Sequence, residues 1–278
     1  MHTNDIHYNT FIPRWYGRFG NNIQQISNGI YFCEKHKVKF SSPDHPYINA
    51  IELAFGENEF KIKETSNNWF YVFDGPEKDF DVDINDLNFK RKIICEKYIL
   101  PNFKLNHEEL SQPIEKDVCV AHIRSGDVYS GRPHPGYVQN PLSFYLELYK
   151  RFDGKVVFIT EDNNSPIAHA LKNYGININI LDIAQSLTLF LRASIVATSG
   201  VGTFAIAAAL CSKNISELYC TSLSLHNSLG ADMLKHHITV NIADIDSDKY
   251  IKIGEWNNAE NTIDKVLNYS ENILFRRL

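Results

Sequence analysis

From about residue 117 onward the chain alternates short apolar runs with amphipathic stretches. Apolar runs of this kind are typical of strands that are buried on both faces of a parallel sheet. The stretches between them predict helices, so the alternation predicts an α/β fold. The predicted strands are Val118–Ile123, Val156–Thr160, Ile176–Leu181, Ser194–Thr198 and Leu218–Cys220, and the predicted helices are Pro141–Phe152, Pro166–Tyr174, Ser186–Arg192 and Thr203–Leu210.

The first part of the chain is less regular. Apolar residues at helical spacing predict one amphipathic helix, capped by Asn21 or Asn22. A helix with basic residues on its outer face is predicted at Leu87–Tyr98, and a helical segment at Asn257–Leu278. The remaining predictions here are short strands at Val38–Phe40 and Trp69–Phe73, and a buried face of the first helix made of Ile23, Ile26, Ile30 and Cys33.

Charge and cysteine content limit the kinds of partner and compartment. The net charge is −5 and no long basic block occurs, so we expect neither a nucleic acid nor an anionic membrane as partner. No stretch approaches the ~20 apolar residues of a membrane-spanning helix, and the N-terminus lacks a signal-peptide pattern. The 5 cysteines are scattered, which predicts free thiols, with Cys119 in the core. We therefore expect a cytoplasmic protein.

The strand Val118–Ile123 leads into the hexapeptide His122-Ile123-Arg124-Ser125-Gly126-Asp127. Ligands of open α/β sheets bind outside the carboxyl ends of the strands. Arg124 at such a strand end can hold a phosphate with two hydrogen bonds, and Gly126 permits a positive φ or a close approach of the backbone. Asp127 is expected either to accept a proton or to orient Arg124. The structural alternative is an Arg124–Asp127 ion pair beside a turn glycine.

Two glycine-containing segments precede predicted helix starts. In the segment Gly17–Gln25, Arg18 stands just before a helix, where free N–H groups attract anions. In the segment Thr198–Phe204 a strand ends, a glycine-rich turn follows and a helix begins, which suits a phosphate cradle of backbone N–H groups and hydroxyls. Neither segment is a Walker loop or a full dinucleotide fingerprint. The structural alternative for each is a turn that needs glycine for its geometry.

Other polar residues fall at the same rim of the predicted sheet. Glu161 follows a predicted strand, Asp182 follows another, and His134 lies in the loop after the hexapeptide. Individually, such residues more often cap helices or stabilise turns than contact a ligand. The acidic clusters Asp79–Asp86 and Asp244–Asp248 are interpreted as solvated surface, the first because it lacks the calcium-loop pattern. We therefore predict no metal site.

Three motifs in this order resemble those of the alpha-1,2-fucosyltransferases and, more distantly, of the wider group of GDP-fucose-dependent transferases. The first, Gly17–Asn21, is similar to the family's Gly-Arg-Leu-Gly-Asn start, and the hexapeptide His122–Asp127 to its His-Val-Arg-Arg-Gly-Asp donor motif. The segment Gly202–Leu210 is similar to the third motif. The family usually has a second Arg in place of Ser125, an acidic residue within the stretch Gln185-Ser186-Leu187, and aromatic residues in place of Ala205 and Ile206.

The resemblance implies a GT-B-like fold, in which two Rossmann-like lobes enclose a cleft. Residues 1–114 would form an acceptor-side lobe, residues 115–240 a nucleotide-sugar-binding lobe, and residues 241–278 a helical segment packing back across the lobes. Fucose would pass from GDP-fucose to a glycan hydroxyl with inversion and without a metal, in bacterial surface polysaccharide or oligosaccharide synthesis. The donor-binding residues would be Arg18, Gly20, Asn21, His122, Arg124, Asp182, Gly200, Gly202 and Thr203.

In such a transfer, negative charge grows on the leaving diphosphate, and fixed cations and N–H donors must stabilise it. Arg124 is expected to do so together with the Gly200–Thr203 turn, and Arg18 to reach the same phosphate. His122 and Asp182 are expected to contact the nucleobase. The candidates for the base that deprotonates the acceptor are Asp127 first, then His134 and Glu161. Two alternatives stay open: a different nucleotide sugar, and a nucleotide- or glycan-binding module without catalysis.

Overall fold

The computed structural model describes residues 12, 14–57, 83–225 and 229–278. The chain divides into two compact units, Met1–Leu105 and Asn106–Leu278. The boundary follows residue 105, whereas the predicted boundary follows residue 114. Residues 106–114 belong to the second unit because they form hydrogen bonds and an ion pair with it. The backbone N–H of Ile114 donates to the Arg192 carbonyl at 3.0 Å, and Arg192 Nη1 pairs with Glu109 at 2.9 Å.

The first unit contains one long helix, α1 (Phe19–His36), whose predicted apolar face is fully buried. The predicted cap is wrong, because the helix begins with Arg18 as its N-cap rather than with Asn21 or Asn22. The N–H groups of Asn21 and Asn22 already donate to the Arg18 carbonyl, at 2.9 and 3.2 Å, and are therefore inside the first turn.

Two short strands, β1 (Lys39–Ser42) and β2 (Ile51–Ala54), pair antiparallel in the first unit. Among the described residues of the first unit, no other strands occur. The strand predicted at Trp69–Phe73 lies outside the described residues.

The second helix of this unit, α2 (Ile84–Ile94), continues through a π-helical turn, Cys95–Ile99, and a 3-10 turn. The outer basic face predicted for it is only partly correct, because Lys90 and Lys97 are exposed but Arg91 and Lys92 are buried. Arg91 Nη2 donates to Asn28 Oδ1 on α1 at 3.0 Å, and Lys92 Nζ pairs with a glutamate one turn later at 2.7 Å.

The second unit is a Rossmann-like lobe, so the predicted α/β fold class is confirmed. Its seven-stranded sheet has the order β5-β4-β3-β6-β7-β8-β9, in which β9 is antiparallel and the other strands are parallel. The strands are β3 (Cys119–His122), β4 (Val156–Thr160), β5 (Ile178–Ile180), β6 (Ile195–Ala197), β7 (Glu217–Thr221), β8 (Thr239–Ala243) and β9 (Phe275–Arg277). The helices are α3 (His107–Leu110), α4 (Leu142–Arg151), α5 (Pro166–Asn173), α6 (Ile183–Arg192), α7 (Phe204–Cys211) and α8 (Glu260–Asn268).

The end of the chain differs from the predicted helical segment Asn257–Leu278. Only α8 is helical there, and the chain then returns as β9 at the edge of the sheet. The three-residue strand is too short to show alternation, but Phe275 packs on Phe144 and Tyr219, with ring centroids 5.8 and 5.0 Å away. The strand β8 is likewise missed by the sequence pattern. Among the described residues, no helix has the length and apolar character needed to cross a bilayer.

The strand order determines where a ligand can bind. From β3 the chain runs outward through β4 to β5, then crosses back to β6 and runs the other way through β7 to β8. Right-handed crossovers place α4 and α5 on one face of the sheet and α6 and α7 on the other. The winding direction therefore reverses between β3 and β6. Ligands of such sheets bind outside the carboxyl ends of the strands at this switch point.

Candidate functional site

The fold brings the second and third sequence motifs together at the switch point. The strands β3 and β6 are parallel neighbours, with Ala121 opposite Ala197. The hexapeptide leaves β3, and the glycine-containing turn leaves β6 at the same end of the sheet. His122 Nδ1 lies 3.0 Å from Ser199 Oγ, although the two residues are 77 positions apart in the chain.

The Arg124 side chain is held on several sides and is only 9% exposed. Its Nη2 donates to both carboxylate oxygens of Asp127, at 3.2 and 3.3 Å. Its guanidinium carbon lies 4.2 Å from the centroid of the Tyr137 ring. The Nε atom is buried and has no hydrogen-bond partner among the residues that the structure describes. A buried donor without an acceptor costs free energy, and an anionic ligand would satisfy it.

Two glycines of the turn after β6 are needed for different reasons. Gly200 has φ of +92°, and a Cβ there would stand 2.6 Å from the Val138 carbonyl oxygen. The N–H of Val201 donates to that same oxygen at 2.9 Å, so the two segments touch through their backbones. At Gly202 a Cβ would fit without overlap, at ordinary contact distances of 3.4 Å from Arg124 Nη1 and 3.5 Å from Ser199 Oγ. Gly202 therefore leaves a small cradle beside the Arg124 guanidinium.

His122 forms another wall of this region. Its ring lies 5.1 Å from the Phe204 ring and 6.4 Å from the Phe190 ring, centroid to centroid. Thr203 is the N-cap of α7, directly after the cradle. The structure thus brings His122, Arg124, Ser199 and Gly202 together, with a guanidinium and a hydroxyl beside a residue that has no side chain.

The loop after β4 packs against the hexapeptide. The Ser125 side chain is fully buried and its hydroxyl donates to Asp162 Oδ1. Gly126 has φ of +66°, and a Cβ there would stand 2.7 Å from Glu161 Oε1. Ser125 therefore ties the β3 and β4 loops together, at the position where the resembling family has a second Arg and where this chain provides no cation.

Two other predicted site residues have structural partners. Asp182 is the N-cap of α6, where its Oδ1 accepts from the Gln185 N–H at 2.8 Å in a capping box. It follows the edge strand β5, two strand spacings or about 10 Å from β3, so the fold does not bring it next to His122. His134 is exposed, and its Nδ1 accepts from the Gly136 N–H at 3.1 Å. A nucleobase contact by Asp182 and catalysis by His134 stay predictions.

The first motif, Gly17–Asn21, lies in the first unit. Gly17 has φ of +66°, and a Cβ there would collide with the Asn21 side chain. Arg18 is exposed at the N-cap of α1, and Gly20 is buried in the first turn. The contribution of Arg18, Gly20 and Asn21 to donor binding stays a prediction.

A buried polar network fixes the chain that precedes the first motif. Gln25 Oε1 accepts from the Tyr16 N–H and from Asn22 Nδ2, both at 3.1 Å. His45 Nε2 lies 3.2 Å from Asn22 Oδ1, and the Tyr47 N–H donates to His45 Nδ1 at 3.2 Å. An imidazole that accepts at Nδ1 and donates from Nε2 is neutral. This arrangement fixes the tautomer of His45.

The pKa of His45 is lowered, first because burial disfavours the charged imidazolium. The positive charge of Lys104 lowers it further, and Asp44 opposes both effects. Protonation of His45 would therefore disrupt the network that positions the first motif.

Sequence reasoning missed Asn140. Its Nδ2 donates to the Thr198 carbonyl at 2.9 Å, and its Oδ1 accepts from Thr221 Oγ1 at 2.6 Å, so it joins the ends of β6 and β7 to the start of α4. The available signal was the pair Asn140-Pro141, because an Asn before a Pro marks a turn. That signal indicates a turn but gives no partner for the amide.

The acidic clusters behave as surface where they are described. Asp244 pairs with Arg276 at 2.7 Å, Asp248 pairs with Lys252 at 3.1 Å, and all four side chains are exposed. Asp79 and Asp81 lie outside the described residues. Within the part of the chain that the structure describes, no three His, Cys, Asp or Glu side chains are grouped so that they could hold a metal ion.

Comparison with known proteins gives limited similarity. No protein-family model matches the chain, and no curated protein matches it. Two similar solved structures are crystal structures of POFUT1, one in complex with GDP at a TM-score of 0.41 and one with GDP-fucose at a TM-score of 0.37. Each is 12% identical and covers 74% of this chain and 95% of its own. At these TM-scores the likeness carries no argument, and the function is argued from the site itself.

Proposed function

We propose that this chain is a glycosyltransferase whose second unit binds the diphosphate of a nucleotide-sugar donor. The proposed donor is GDP-fucose and the acceptor a glycan hydroxyl, with inversion at the sugar, in bacterial surface polysaccharide or oligosaccharide synthesis. The observation that carries the proposal is the Arg124 guanidinium: its buried Nε has no hydrogen-bond partner among the described residues, and its Nη1 lies beside Gly202. The location at the topological switch point supports it.

The site fits the charge that develops when a diphosphate leaves. Arg124 is already in place, because Asp127 holds its Nη2 and Tyr137 covers one face of the guanidinium. A fixed cation that needs no rearrangement stabilises such a transition state well. Loss of one such donor costs about 2–4 kcal/mol of transition-state stabilisation, or roughly 30- to 1,000-fold in rate.

The contacts also bear on the proposed base. Both oxygens of Asp127 lie within hydrogen-bond distance of Arg124 Nη2, which supports an orienting role for this carboxylate. Glu161 lies at the next strand end, where its Oε1 would stand 2.7 Å from a Cβ on Gly126. We propose Glu161 as the base for the acceptor hydroxyl, ahead of Asp127 and His134.

Replacement of Arg124 by Gln tests the proposal directly. The variant is expected to stay folded, because Asp127 is 43% exposed at its side chain and can be solvated when its partner is lost. Sugar transfer, or release of GDP from the donor, should fall by roughly 30- to 1,000-fold. The matched control is Arg277→Gln on the distant edge strand β9, which should keep wild-type turnover. Near-wild-type turnover by Arg124→Gln would exclude Arg124 as the diphosphate-binding cation.

A nucleotide sugar other than GDP-fucose is a second candidate donor, and the hydrogen bond from Ser125 to Asp162 supports this alternative. That bond replaces a second cation at the loop, so the donor pocket departs from that of the resembling family. Thermal unfolding with GDP, UDP and CMP separates the two. Stabilisation by GDP alone supports GDP-fucose, and a larger rise in Tm with UDP or CMP contradicts it. Binding without any donor turnover on a panel of glycans would indicate a module without catalysis.

A further inference from the structure

Tyr137 is the one side chain that covers a face of the Arg124 guanidinium among the described contacts, with the guanidinium carbon 4.2 Å from the ring centroid. The distance lies well within the range of a cation–π contact. Asp127 holds the guanidinium from its Nη2 end, so the aromatic ring and the carboxylate restrain it in different directions. The sequence motifs contain Arg124 and Asp127 but not Tyr137.

The backbone of the Tyr137 segment is connected to the turn after β6. The Tyr137 N–H donates to the His134 carbonyl at 3.0 Å, and its own carbonyl accepts from Gln139 Nε2 at 2.7 Å. Gln139 pairs with Gly200 in an antiparallel bridge, and the Gln139 carbonyl accepts from Tyr250 Oη at 2.8 Å. The segment is therefore anchored to the turn after β6 while its aromatic ring covers the cation of the loop after β3.

We propose that Tyr137 is a positioning residue that holds Arg124 ready for a diphosphate, with Nε and Nη1 left to the ligand. The proposal rests on the proposed function, because it assigns Tyr137 a part in the same anion site. It also has consequences in the free protein, where no donor is needed.

The physical reason is the flexibility of arginine. A free Arg side chain has many rotamers, and ordering it upon binding reduces affinity. A guanidinium that is already restrained by an aromatic face and a carboxylate loses less freedom when the anion arrives. A desolvated cation–π contact has a strength that corresponds to about 5- to 30-fold in an equilibrium constant.

The first test uses the free protein and two variants at one position. Tyr137→Phe keeps the ring and Tyr137→Leu removes it at similar size. The ¹⁵N Nε–H signal of Arg124, assigned by its loss in Arg124→Gln, should show a ring-current shift and slow exchange with water. Both features should remain in Tyr137→Phe and disappear in Tyr137→Leu. An unchanged Nε–H signal in Tyr137→Leu would overturn the proposal, whatever ligand the protein binds.

The second test measures affinity for GDP and for guanosine by calorimetry. Tyr137→Leu should bind GDP about 5- to 30-fold more weakly, with guanosine binding unchanged and Tyr137→Phe close to wild type. In the Arg124→Gln background the Leu substitution should have no further effect on GDP binding. Equal losses for GDP and guanosine, or an additive loss in the double variant, would show that Tyr137 acts on the base or the fold instead. Absence of GDP binding by the wild type, with the Nε–H result as expected, would contradict the proposed donor and leave the restraint of Arg124 standing.

Discussion

Replacing Gly202 by Ala adds one methyl group to the cradle beside Arg124. The Cβ would lie 3.4 Å from Arg124 Nη1 and 3.5 Å from Ser199 Oγ, which are ordinary van der Waals distances. The φ of Gly202 is not positive, so Ala can adopt the native backbone. A Gly→Ala change at such a position stabilises a protein by about 0.4–1 kcal/mol, because it restricts the unfolded chain. The free protein should therefore be as stable as the wild type or slightly more stable.

The affinity of Gly202→Ala for GDP should fall, although its stability does not. A phosphate oxygen must come within about 2.7–2.9 Å of the guanidinium nitrogen for a charge-assisted hydrogen bond. The new methyl group occupies the space beside the same nitrogen. We expect GDP to bind at least about tenfold more weakly, or about 1.4 kcal/mol, in calorimetric titrations.

The matched control is Gly200→Ala, two residues earlier in the same turn. Here φ is +92°, and the Cβ would stand 2.6 Å from the Val138 carbonyl oxygen and 2.7 Å from the Asn140 nitrogen. Backbone strain of this kind costs about 1–3 kcal/mol, and the overlap adds to it. Urea unfolding should therefore show a clear loss of stability. If Gly202→Ala binds GDP as the wild type does, the cradle is not the diphosphate site and the reasoning fails.

Two further predictions concern the supports of the motifs. Asn140→Ala removes the acceptor of the buried Thr221 hydroxyl and the donor to the Thr198 carbonyl, so the free energy of unfolding should fall by about 2–4 kcal/mol in urea titrations. A loss below 0.5 kcal/mol would mean that these buried groups find other partners. For His45, the folded-state pKa is lowered below its unfolded value, so the unfolded state binds more protons and stability falls as the pH drops below about 6.5. The decline should end once the pH is below the folded-state pKa. Urea unfolding between pH 7.5 and 5 should show this slope in the wild type and a shallower one in His45→Gln, and equal slopes would contradict the assignment.

Much of the second unit could be predicted because its central strands, β3, β6 and β7, are buried on both faces. The strand Val156–Thr160 has the predicted bounds, and α5 differs only at its last residue. The strand β9 could not be predicted in this way, since three residues at a sheet edge carry no periodicity. The buried Arg91 shows a second limit. A basic residue in a helical pattern predicts a solvent-exposed side chain. Only the contact with Asn28 on α1 shows that the Arg91 side chain is buried.

Some residues of the site could likewise be predicted from the sequence and others could not. Arg124, Asp127 and Gly126 could be found from the sequence because a polar, glycine-containing loop after an apolar strand is unusual. The Ser125–Asp162 bond and the cover of Arg124 by Tyr137 could not, because they join residues from different loops. The two glycines of the turn after β6 are alike in sequence, yet one is needed for backbone contact and the other leaves an open cradle.

Three features can be predicted from the sequence alone: the class of fold, the strand ends that carry polar residues, and the arginine that can bind an anion. These follow from local patterns, since burial on both faces requires apolar runs and a strand end releases polar residues into a loop. The reversal of the winding between β3 and β6 is visible only in the assembled sheet. That reversal brings Arg124 beside Gly202, because residues far apart in the chain meet only when the sheet is assembled, and no described residue accepts a hydrogen bond from the Arg124 Nε.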